Sequence, residues 1–64
     1  MKAAQLKRGD VYNLAQYPNG GSYVHGGEVP GTNGKKYYAH DNTIGHIYQT
    51  DWDEEVVRVG NIND

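Results

Sequence analysis

His40, Asp41 and His46 fall close together in this chain, with His25 upstream. Neutral imidazole and carboxylate are both good zinc ligands, so His40 and His46 are candidates for a metal site if they share a face. Strand side chains alternate, so the loop of the hairpin they would form decides the matter. A three-residue loop, Asp41 to Thr43, pairs His40 with Ile44 and Tyr38 with His46, and gathers both histidines on one face with Tyr38 and Tyr48. A two-residue loop, Asp41-Asn42, pairs His40 with Thr43 and Ala39 with Ile44, and sends them to opposite faces. The second register segregates apolar residues better. Tyr37, Ala39, Ile44 and Tyr48 fall on one side, and Tyr38, His40, Thr43, Gly45 and Gln49 on the other, with Ile47 the exception. Burial favours it. No metal and no cofactor is therefore expected, and His40 is left as a pH-sensitive contact.

Other catalytic equipment is sparse. There is no cysteine, and the only serine, Ser22, lies in a glycine-rich turn. The segment GGSYVHGG matches neither phosphate-binding glycine motif and precedes no helix, so its glycines read as tight turns and bulges. The carboxylates of DWDEE, residues 51–55, sit on an expected loop around the single tryptophan. If exposed, Trp52 is an anchor ringed by Asp51, Asp53 and Glu54, suited to a basic partner surface. If buried, it plugs one end of the domain. Frequency favours burial for a lone tryptophan. A chain of 64 residues also struggles to enclose a dry pocket, and a non-enzymatic protein is expected.

That length allows one domain, residues 1–64, with a small core. Without cysteine, disulfides are excluded, leaving tight packing or a partner as support. Leu, Ile and Val total eleven and Phe is absent, but six Tyr and one Trp supply bulk. A net charge of −2 lacks the basic excess of an ordinary nucleic-acid binder. No apolar stretch is long enough to span a membrane or serve as a secretory signal, so a cytoplasmic location is expected.

Turn signals punctuate the chain at PNGG (18–21), PGTNG (30–34), DNT (41–43) and DWDE (51–54). Asn19-Gly20 and Asn33-Gly34 are hairpin signals, because both residue types accept positive φ. Between the turns lie Tyr- and Val-rich runs at 10–17, 22–29, 35–40, 44–50 and 55–62. Residues 2–7 support at most one short helical turn before Gly9. The pattern predicts an all-β domain: a small five-stranded antiparallel SH3-like barrel or curled sheet. A small OB-like barrel ranks second, and an open sheet that dimerises third.

The segment Arg8-Gly9-Asp10-Val11-Tyr12, followed in order by Pro18, Gly21-Ser22 and Gly26-Gly27, resembles the opening of MazF/PemK-type toxin endoribonucleases. The resemblance covers residues 6–30, less than half the chain, and implies an SH3-like barrel that dimerises. Val29-Pro30 stands where the family has its catalytic Arg before Pro, so the resemblance carries the fold and not the ribonuclease site.

Adjacent Tyr37 and Tyr38 must face opposite sides of a strand, which directs one of them away from the core. Exposed tyrosine on a small barrel makes a recognition surface. The sequence is accordingly read as a protein–protein interaction module, binding through Tyr38, Tyr48 and Trp52 with the acids Asp51, Asp53 and Glu54. Its size suits an accessory or inhibitor protein of a phage or other mobile element. Self-association as a homodimer is a further use of the tyrosine surface. The alternative is a degenerate MazF-like RNA-binding or ribonuclease protein, which requires Lys7, Arg8, Lys35, Lys36 and Arg58 to converge on one face.

Overall fold

A computed structural model describes all residues, 1–64. The five expected strands are present: β1 Asp10–Leu14, β2 Tyr23–Glu28, β3 Lys36–Asp41, β4 Ile47–Asp51 and β5 Val56–Asn61. They form one sheet in the order β4-β3-β2-β1-β5, antiparallel at every junction. The chain thus meanders through four strands, and the fifth crosses to pair with the first. The only helical element is a 3₁₀ turn at Ala3–Gln5. No helix is long and apolar enough to cross a membrane.

Turn chemistry sets the strand ends. Between β2 and β3, Pro30-Gly31 makes one turn, with Gly31 at φ 84° and Thr32 N–H donating to Val29 O at 3.3 Å. Asn33 and Gly34 then adopt φ 55° and 75°, the doubly positive geometry of a tight hairpin turn. The other Asn-Gly behaves differently. It sits in a turn closed by Gly20 N–H to Tyr17 O at 2.9 Å, and the positive φ falls one residue later, at Gly21.

The sheet is curled and not closed. In a flat sheet β1 and β4 would lie three strand spacings apart, roughly 14 Å. Yet the Tyr12 hydroxyl on β1 is 2.8 Å from Thr50 Oγ1 on β4. Two side chains cannot reach across that span unless the sheet folds over its own face. No ladder joins β4 to β5, so the expected barrel stops short of closure. The N-terminal segment lies along this gap, with Ala3 and Ala4 N–H bonded to Glu54 and Trp52 carbonyls at 2.9 Å.

Part of the curl comes from β2. His25 pairs with Ala39 and Glu28 with Tyr37, so Gly26 and Gly27 together oppose Tyr38 in a bulge. Gly27 has φ 91°, and a methyl group there would overlap the Arg8 guanidinium. The concave face holds the core: Ala3, Leu6, Tyr12, Tyr37, Ala39 and Val56, with Leu14 and Tyr23 partly buried against it. Tyrosine therefore does take the place of Phe and Leu inside. Tyr37 is buried while its neighbour Tyr38 faces the convex side, half-buried.

Candidate functional site

The β3–β4 hairpin turns on four residues, Asn42–Gly45, and not on two or three. Asp41 is the cause. Its Oδ1 accepts the N–H groups of Thr43 and Ile44 at 2.8 and 3.1 Å, and Gly45, at φ 76°, closes the turn with its N–H to Asp41 O at 3.1 Å. These two N–H donors hold the Asp41 pKa below the usual carboxylate value. Four has the parity of two, so the faces fall as the burial argument demands. His40 pairs with Ile47, Ala39 with Tyr48 and Tyr38 with Gln49. Pairs share a face, so His40 joins Tyr38 on the convex side, while His46 lies with Tyr48 on the concave side. The two histidines therefore lie on opposite faces of the hairpin. Ile44 departs from its expected place opposite Ala39: it sits in the loop, exposed, because the Asp41 turn takes it out of the strand.

The binding residues expected from sequence gather around β4, with one exception. β4 is an edge strand. Asp41 N–H donates to His46 O, and Trp52 N–H to Lys35 O, both at 2.8 Å. By the antiparallel alternation, the main chains of Tyr48 and Thr50 also turn toward β3. Those of Ile47, Gln49 and Asp51 turn outward, where no strand pairs with them. Four of the five β4 residues are exposed, and only Thr50 is buried. Tyr48 is 45% exposed and lies edge-on to Tyr23 with centroids 6.0 Å apart, so its outer edge is open while its inner edge is held. Tyr38 is the exception, half-buried on the opposite face of the sheet.

Trp52 is 48% exposed and does not plug the domain. Ala3 and Leu6 occupy the open end of the curl instead, and their segment pins the Trp52 main chain through Ala4 N–H. The indole is left projecting beyond the end of β4. The acids beside it differ in their engagement. Asp51 pairs with Lys36 Nζ at 2.8 Å, and Glu54 accepts a hydrogen bond from Gln16 Nε2 at 3.0 Å. Asp53 has no hydrogen-bonded or ionic partner.

Two of the five cations that the RNA-binding alternative requires carry an acidic partner of their own. Lys36 is neutralised by Asp51, and Arg58 Nε by Asp10 at 2.9 Å, on separate strands. Lys7 and Arg8 lie at the turn into β1, and Lys35 immediately precedes β3.

The sequence did not mark Asp10 and His25 as buried. Asp10 accepts from Arg58 Nε, from Asn61 Nδ2 at 2.9 Å and from Lys7 N–H at 2.7 Å. Burial alone would raise its pKa, but these donors outweigh it and hold the group at about 2. His25 is buried with its ring edge-on to Tyr37, centroids 4.9 Å apart, and its Nδ1 has no partner. Burial holds its pKa below the ordinary histidine value; the Asp10 charge opposes this, and the Arg8 charge adds to it.

The consequence is a loss of stability in mild acid. The folded state disfavours the protonated ring, so the His25 contribution is complete above the unfolded pKa of 6.5 and is lost as pH falls from there toward the lower folded value. His25→Phe keeps an aromatic edge against Tyr37 and removes the orphaned nitrogen, a change that is near neutral or stabilising at pH 7. The gap between thermal midpoints at pH 7 and pH 5 should shrink in this variant; an unchanged gap would show that His25 does not set it.

What sequence reasoning missed at β4 was Ile47 and the open edge itself. The run Ile47–Asp51 reads as a strand from any position in a sheet, and only strand order reveals an edge. No protein-family model matches the chain, and no curated protein or solved structure shows significant similarity to it.

Proposed function

We propose that the chain is a non-enzymatic interaction module that receives an extended segment of a partner protein along β4. The supporting observation is the combination of an unpaired strand edge with Ile47, Tyr48 and Trp52 exposed at 58%, 45% and 48%. An exposed edge invites strand addition, in which main-chain hydrogen bonds supply affinity and side-chain anchors supply choice. Tyr and Trp are the residue types most often found to anchor interfaces. Asp51, Asp53 and Glu54 place negative charge around Trp52, so the partner segment carries Lys or Arg at its matching end. Such a module suits a small accessory or inhibitor protein acting in the cytoplasm.

The edge can be closed without touching the core. Gln49 turns its N–H outward, so Gln49→Pro removes an edge donor while sparing the β3–β4 ladder. With an alternating Lys/Val decapeptide as probe, Trp52 fluorescence should shift saturably. Gln49→Pro should abolish the shift, and Trp52→Ala should weaken binding measured by calorimetry about tenfold or more. Equal binding by the wild type and Gln49→Pro, with matching circular dichroism, overturns strand addition. Pairing of two β4 edges is the competing occupant, and a dimer mass in solution that Gln49→Pro reduces to monomer would identify it.

A further inference from the structure

A second feature lies away from the β4 edge. Arg8, Gly9, Val24, Gly26, His40 and Ile62 line an open groove of about 530 Å³ whose wall also includes Asn63. That volume falls within the range of small-molecule sites. The Gly26-Gly27 bulge makes the groove. A methyl group on Gly26 would lie 2.6 Å from His40 Nε2, and one on Gly27 would overlap the Arg8 guanidinium. Two bare α-carbons in succession thus let a guanidinium and an imidazole lie down on the β2 main chain.

The donors there are unspent. Arg8 forms no ion pair, and neither its side chain nor that of His40 makes a hydrogen bond within the protein. The Asn63 side-chain amide is likewise unengaged, since only its main-chain N–H is bonded, to Asn61 Oδ1 at 2.8 Å. The other arginine, Arg58, is held by Asp10. No carboxylate lines the groove, although the chain as a whole is acidic at −2. A fixed cation left unpaired in a glycine-floored groove free of carboxylates attracts an anion.

We propose that this groove binds a small organic phosphate monoester. Three separate donors, on Arg8, His40 and Asn63, match the three terminal oxygens of a tetrahedral phosphate better than the two of a planar carboxylate. The guanidinium can engage two of those oxygens at once. Val24 and Ile62 form the apolar part of the lining, against which the organic portion lies. The groove is larger than the anion alone requires.

Phenyl phosphate is the probe. Titrated into the intact ¹⁵N-labelled protein, it should shift the amide signals of Gly9, Gly26 and Gly27 saturably, with inorganic phosphate and phenylacetate both binding more weakly. Arg8→Gln should weaken phenyl phosphate binding about tenfold or more, the loss expected for a charge-assisted hydrogen bond. Its thermal midpoint should change little, since the Arg8 side chain makes no ion pair or hydrogen bond within the protein. Asn63→Ala, on an exposed terminal segment, supplies an independent variant and should weaken binding severalfold. Shifts that do not saturate, or equal binding by Arg8→Gln, overturn the site. Phenylacetate binding as tightly as phenyl phosphate overturns the phosphate assignment.

Discussion

Tyr12→Ala should leave this protein unfolded at 25 °C, with a flat thermal melt and no cooperative urea transition by circular dichroism. Tyr12 is wholly buried and is, with Val56, one of the two largest side chains so enclosed. Its ring packs against Tyr23 at a centroid distance of 5.8 Å. Its hydroxyl meets Thr50 Oγ1 at 2.8 Å and ties β1 to β4, strands that share no ladder. Truncating a buried aromatic residue to alanine costs about 3–5 kcal/mol. A single core in a chain this short supplies rarely more than about 3–5 kcal/mol in total, so the loss matches the whole stability. Tyr12→Phe separates the two contributions. It keeps the ring and strands the Thr50 hydroxyl, at a cost of about 1–2 kcal/mol, so that variant should fold with a lower urea midpoint. A cooperative Tyr12→Ala transition near that of the wild type would show that the curl is held elsewhere.

Asp10→Ala should be the second most damaging change, costing about 2–4 kcal/mol in urea unfolding, because it strips buried or part-buried donors on Lys7, Asn61 and Arg58 of their acceptor at once. Arg58→Ala should cost less. The arginine side chain is 42% exposed, so solvent screens its ion pair, whereas the carboxylate it meets is buried. The same cluster contributes to the acid sensitivity of the fold. The Asp10 pKa falls from 3.8 to about 2 on folding, so its stabilisation is fully present above pH 3.8 and is lost as pH drops through 2. Over that window the wild type should lose about 2 kcal/mol that Asp10→Ala does not lose. Parallel acid titrations for the two proteins would refute the assignment.

The five strands were legible because their turns are local, although β1 ends at Leu14 and β4 begins at Ile47, each three residues inside its expected run. Pro30-Gly31, Asn33-Gly34 and Gly21 demand particular backbone angles whatever surrounds them, and an alternating Tyr/Val run between such turns has few other conformations. The faces of the β3–β4 hairpin were legible for a related reason. Placing Tyr48 on the face of Tyr37 and Ala39 requires an even loop, and period-two alternation then assigns every other side chain. The loop length itself was not, since Asn42–Gly45 and Asp41-Asn42 have the same parity and differ only in how the Asp41 carboxylate is used.

Tertiary structure alone decided the rest, because each remaining feature joins residues far apart in the chain. Trp52 is exposed because Ala3 and Leu6 reach the open end of the curl, a competition invisible in DWDEE. Asp10 is a buried anchor only once β5 brings Arg58 and Asn61 beside it. The edge character of β4 follows from β5 crossing to pair with β1, and the donor groove follows from Arg8 and His40 settling on the same bulge. Turns and alternation act over a few residues and can be read from composition and spacing. Strand order, closure and the convergence of distant donors depend on which long-range pairings bury the six-residue core, and this chain settles them by folding.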